Sequence, residues 1–185
     1  MKDALIIIDM QNDVVHEMLP FAKDVVPKIG EVLNACRKAG KPVVHIVRAH
    51  RADGSDVERF RLKKFEDGPF LVEGTEGEEV IEELYPLDGE YIVKKRRFSG
   101  FFQTDLDMLL RRLKVDSVVI AGVQTPNCIR ATAVDAVCLD YDVVVLSDAT
   151  ASATEETQSV NLKDMENMGV TVKKSDECLR VGEMT

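Results

Sequence analysis

Positive charge is scarce in this chain. Lys and Arg number 24 against 33 Asp and Glu, a formal net charge of −9 over 185 residues. Binding nucleic acid takes a concentration of cations against the phosphates, so no nucleic-acid partner is expected. Long apolar runs are missing too. No stretch approaches the roughly 20 residues of a membrane span, and the opening MKDALIIIDM is interrupted by acids, unlike a secretory signal. The expectation is a cytoplasmic protein without a membrane partner. The four cysteines, Cys36, Cys128, Cys138 and Cys178, include no C-x-x-C pair, so neither a zinc knuckle nor a thioredoxin-like redox pair is supported. No internal repeat and no low-complexity segment interrupts the chain.

What is present suits one compact domain over residues 1–185, with 45% hydrophobic and 31% charged residues. Short runs rich in Val and Ile, at 4–9, 42–47, 90–95, 117–123, 142–148 and 169–174, read as strands. Most are almost continuously apolar, as a parallel sheet covered on both faces requires. Helical periodicity marks 21–39, 77–84, 104–113, 126–139 and 154–168 between them. The βαβα alternation predicts a three-layer αβα sandwich on a six-stranded, mainly parallel sheet. The stretch 49–75 has no clean period and is expected to be a long functional loop over one edge. Cys36 and Cys138 lie in helical patterns and read as small buried hydrophobes.

Ligands of open parallel sheets bind outside the carboxyl ends of the strands. The first strand ends in Asp9, the third in Lys94 and Lys95, and the fourth runs into GVQTPNC, which places Cys128 in the first turn of the next helix. Thr125 is an N-cap type and Pro126 suits the first helical position. The helix N-terminus and a nearby ammonium are expected to draw the thiol below its ordinary pKa of about 8.5. Asp9 is then placed to exchange a proton with a thiol or a leaving amine, and backbone N–H groups of the turn to hold an oxyanion. An Asp at a strand end also serves turns, a strand-end Lys is often only solvated, and a helical Cys is often only packing. The convergence of all three at one sheet edge points to amide hydrolysis with no metal and no cofactor. Two other classes compete: a nucleotide-binding domain, which the absence of G-x-G-x-x-G after the first strand disfavours, and a redox-sensing thiol on an inactive scaffold.

Four motifs in order carry a resemblance: IIIDMQND (6–13), EGTEGEEV (73–80), KRRFSGFFQTDLDMLL (95–110) and GVQTPNCIRATAVDA (122–136). Together they cover most of the chain and resemble the isochorismatase-like cysteine hydrolases, a family that includes nicotinamidases, N-carbamoylsarcosine amidases and ureidoacrylate hydrolases. The resemblance implies a catalytic triad of Asp9, Lys95 and Cys128, with Lys95 chosen over Lys94 by counting four residues back from Ser99. It also implies a cis peptide between Val123 and Gln124, aiming N–H groups of Val123, Gln124 and Cys128 at an oxyanion. Homo-oligomers are common in the family, and the same is expected of this chain.

The nicotinamidase branch carries an Asp-x-His and a further His for a metal; HIVRAHRADGSDVERF has His45 and His50 but no later His, so no metal is expected. Cys128 argues against the vinyl-ether-cleaving branch. What remains resembles the branch acting on carbamoyl and ureido compounds, N-carbamoylsarcosine amidase above all, with nicotinamidase as the alternative. A carboxylate-bearing amide or ureido substrate calls for a cation in the pocket, for which Arg48, Arg51, Arg59, Arg61 and Arg97 are candidates. Gln11 and Phe98 complete the expected substrate contacts, and Arg96 and Arg97 beside Lys95 read as part of an anion-attracting mouth.

Overall fold

The computed structural model describes residues 2–180. Six strands, β1 (Asp3–Ile8), β2 (Val43–Arg48), β3 (Tyr91–Lys95), β4 (Ser117–Val123), β5 (Asp142–Ala151) and β6 (Thr171–Lys173), form one sheet in the order β3-β2-β1-β4-β5-β6. Every neighbouring pair is parallel. Alternate residues of each strand point to opposite faces, and both faces are apolar. Leu5, Ile7, Val43, Val47, Val119 and Val123 pack on one side, against Ile29, Val32 and Leu33 of α1 (Val26–Lys38). Ala4, Ile6, Ile8, Val44, Ile46 and Val118 face the other side. There they meet α3 (Leu106–Arg112), α4 (Arg130–Cys138) and α5 (Glu155–Glu166) through Leu106, Leu110, Ala133 and Met165. A short α2 (Leu62–Asp67) and a terminal α6 (Ser175–Arg180) complete the helices. This is the expected αβα sandwich.

The order matters for function. The chain runs from β1 outward to β3, then returns to lay β4 on the other side of β1, so the carboxyl ends of β1 and β4 flank the switch point where α/β sheets open a crevice. Asp9 follows β1 and Gln124 follows β4. The two strands press together there. Gly122 has φ +114°, and a Cβ on it would stand 2.2 Å from the Ile8 carbonyl oxygen. Gly122→Ala is therefore expected to cost about 2 kcal/mol or more, from the left-handed backbone and the clash together, read as a lower midpoint in urea unfolding.

Several expected elements differ in extent. The helix expected at 77–84 is absent: Glu76–Glu78 and Glu82–Leu84 are separate 3-10 turns, and between them Val80 bridges antiparallel to Gln11. The 49–75 segment is not all loop, since a 3-10 turn at Arg59–Arg61 leads into α2 and His50 bridges Val72. The first helix starts at Val26, after a 3-10 turn at Pro20–Val25. Cys36 is buried, but Cys138 is exposed on α4, contrary to the packing role expected for it. Among the described residues no helix is long and apolar enough to cross a membrane.

Candidate active site

Asp9 sits one residue past β1 with φ 55°, which turns its side chain into the crevice, where it is 5% exposed. Its Oδ2 accepts a hydrogen bond from Lys95 Nζ at 2.8 Å, while Oδ1 has no partner. Lys95 ends β3, two strands from β1, a distance of roughly 10 Å at the usual strand spacing. The lysine stem, the Asp9 side chain and the 2.8 Å hydrogen bond between them together cover that span. Strand alternation puts Val93 and Lys95 inside and Ile92 and Lys94 outside. Lys94 accordingly pairs with Glu73 and Glu78 at the surface, whereas Lys95 is fully buried. Lys95 Nζ also donates to Cys128 Sγ at 3.2 Å.

Cys128 is delivered by an unusual turn. The Val123-Gln124 peptide is cis, and Thr125–Ile129 form one π-helical turn before α4. Thr132 Oγ1 donates to the Cys128 carbonyl, and Asn127 Nδ2 to Gln124 Oε1, fixing the turn from below and above. Thr125 is not the N-cap expected of it: Gln124 holds that position without a side-chain cap, and the Thr125 hydroxyl donates to the Ala151 carbonyl on β5 at 3.1 Å.

A cavity of about 90 Å³ opens onto the sulfur. Val14, Met18, Leu19 and Leu71 form its apolar wall; Asp9, Arg48, Arg61, Gln124 and Asn127 form the polar one. A larger groove of about 490 Å³ runs along the outer edge of β3 by Val80 and Glu90, but it touches none of Asp9, Lys95 or Cys128. The small cavity is the one that meets the reactive groups.

A family model described as "Isochorismatase domain" matches residues 3–177. The chain belongs to the isochorismatase family. A probable inactive nicotinamidase of Arabidopsis thaliana is 44% identical over 90% of this chain and 89% of its own length. An isochorismatase family protein from Desulfovibrio vulgaris superposes with TM-score 0.94 at 46% identity, covering 98% of both chains. N-carbamoylsarcosine amidase from Thermoplasma acidophilum superposes with TM-score 0.82 at 34% identity, covering 95% of this chain and 98% of that one.

The expected substrate contacts divide. Gln11 is fully buried and tied into the fold: its amide donates to the Arg48 and Glu78 carbonyls and accepts from the Arg48 N–H. It clamps the end of β2 with both amide hydrogens and does not line the cavity. Arg51 and Arg59 are exposed and lie outside the cavity, and Arg97 is committed to the Asp56 and Arg96 carbonyls. Phe98 lies beneath the arginines: its centroid is 5.7 Å from Arg48 Cζ and 5.2 Å from Arg61 Cζ, and its ring stacks on Phe60. Arg48 and Arg61 are the two cations at the cavity. Sequence reasoning missed Glu58 behind them and Asn127 beside the thiol; Asn127 stood inside the cysteine motif, while Glu58 gave no signal in an aperiodic segment.

His45 and His50 are buried packing residues. His45 bonds Glu90 through Nε2 at 3.0 Å, and His50 lies edge-on to the rings of Phe65 and Phe70. Burial lowers both pKa values, and Arg48 lowers that of His50 further. The thiol departs from expectation. Burial pushes Cys128 up and the Asp9 carboxylate adds to it, against the downward pull of Lys95 and Arg48. Sealing the sulfur from water outweighs the cations and holds Cys128 above the ordinary thiol range.

Proposed function

We propose that this chain is a cysteine amidohydrolase, cleaving the C–N bond of a small, carboxylate-bearing carbamoyl or ureido compound through a covalent intermediate on Cys128. One observation carries the reading: Lys95 Nζ bridges Asp9 Oδ2 and Cys128 Sγ, two groups that line a small cavity. Sγ attacks the carbonyl carbon as its proton passes to the open Oδ1 of Asp9. N–H groups of the 123–128 turn receive the oxyanion. Asp9 then protonates the departing nitrogen, ammonia leaves, and a water activated by the same carboxylate releases the acyl group from sulfur.

Charge supports an anionic substrate. The Nη1 and Nη2 donors of Arg48 are spent on Glu58, on the Arg96 and Arg97 carbonyls and on Cys128, while the one ion-pair contact of Arg61 among the described residues is with Glu58 at 3.5 Å. Arg61 is therefore the carboxylate reader. A cavity edged by two guanidinium groups also favours an anion over a divalent cation. Exposed Phe60 and Phe102 leave apolar surface for the homo-oligomer expected above.

Ammonia release from N-carbamoylsarcosine, other ureido acids, maleamate and nicotinamide, with Cys128→Ser alongside, is the test. Release from a ureido acid that the variant lacks supports the proposal; release from nicotinamide alone overturns the substrate class. Arg61→Gln is expected to raise KM for the carboxylate substrate about 10- to 100-fold, the worth of hydrogen bonds to a charged group, with kcat much less changed. Equal loss on an uncharged analogue would sink the assignment of Arg61.

A further inference from the structure

We propose that Arg48 is a fourth catalytic residue, holding charge on Cys128 sulfur together with Lys95, and that Glu58 tempers its effect. The inference rests on Cys128 as the nucleophile, though its test needs no substrate. Arg48 ends β2 and pairs in register with Lys95 on β3, so both cations leave the sheet at one level. Its guanidinium is 3% exposed, and Nη2 lies 3.7 Å from Cys128 Sγ. Nη1 is 2.5 Å from Glu58 Oε1 and also donates to the Arg96 carbonyl, and Nη2 donates to the Arg97 carbonyl, both directly after Lys95. A surface arginine would be free to leave the sulfur; this one is tied on three sides.

The charges around the sulfur come from each element packed on it: Asp9 after β1, Arg48 on β2, Lys95 on β3, and Glu58 and Arg61 from the connection after β2. With a thiol, two anions face three cations. With a thiolate, Asp9, Glu58 and Cys128 balance Lys95, Arg48 and Arg61. Buried charge is costly unless paired, so each cation held beside the sulfur offsets part of the cost that burial places on ionising it. Lys95 alone cannot supply it, because its ammonium is already shared with Asp9. Burial resists the charge on Arg48, but Asp9, Cys128 and Glu58 outweigh that and hold the guanidinium above its ordinary range.

The test is the ultraviolet absorbance of thiolate titrated against pH, with the Cys128→Ser protein subtracted to remove the other three cysteines. Arg48→Gln is expected to leave about tenfold less thiolate at a pH below the midpoint, a rise of about one unit. Glu58→Gln is expected to move the midpoint the other way, and Arg48→Lys to stay near the wild type. A merely structural Arg48 would give no such opposition of signs. An unmoved midpoint in Arg48→Gln, or shifts in one direction for Arg48→Gln and Glu58→Gln, overturns the proposal. Should Arg48→Gln fail to fold, as judged by circular dichroism, Glu58→Gln and the paired Arg48→Gln/Glu58→Gln variant decide, the pair being expected to titrate above Glu58→Gln. A midpoint that moves as expected while no panel compound is hydrolysed leaves Arg48 in place and refutes only the substrate class.

Discussion

Cys128→Ala is expected to lower kcat/KM by a factor on the order of 10⁴ or more, the scale on which an enzyme loses turnover with its nucleophile. The fold should survive. Cys128 contributes one small buried side chain to the cluster under α4, and its removal leaves Asp9 and Lys95 paired with each other. Loss of a sulfur atom from the core costs about 1 kcal/mol, a shift of a few degrees in a thermal melt. Ammonia release and circular dichroism on the same preparation check both halves. Substantial residual turnover in a folded Cys128→Ala protein would rule out a covalent route through this sulfur.

Lys95→Ala is expected to damage both activity and stability. It leaves the Asp9 carboxylate 5% exposed without the ammonium that now sits 2.8 Å away. Breaking a buried pair from one side typically costs about 3–5 kcal/mol. Lys95→Met combined with Asp9→Asn removes both charges and should recover most of that loss while remaining inactive. Urea unfolding separates the cases: a double variant no more stable than Lys95→Ala would mean that the lysine stem, rather than the charge pairing, holds this edge of the sheet.

The layer order and most strand positions were legible because they follow from local pattern. Val and Ile runs between helical periods leave few alternatives to a covered parallel sheet, and counting four residues back from Ser99 picks Lys95 over Lys94, the one of the two that strand alternation turns inward. The failures share one cause, a partner far away in sequence. Glu76–Leu84 has helical composition, yet Gln11 captures the Glu78 carbonyl from 67 positions away and breaks it into turns. Thr125 looks like a cap until β5 offers its hydroxyl the Ala151 carbonyl. Helix-start logic lowers the Cys128 pKa, but the depth of burial that reverses the sign is a property of the whole assembly. Five arginines were equivalent as candidates; only the packing of Phe60 and Phe98 and the position of Glu58 single out Arg61 and Arg48.

The 3-10 turn at Arg59–Arg61 has a consequence for how such a protein changes over generations. Asp9, Arg48 and Lys95 stand on or next to strand ends and Cys128 on the turn fixed between β4 and α4, where any shift disturbs the core, whereas Arg61 rides on a connection that tolerates insertion and exchange. A lineage can therefore acquire a new taste in substrates by rewriting a few codons around that turn while inheriting its bond-breaking apparatus intact.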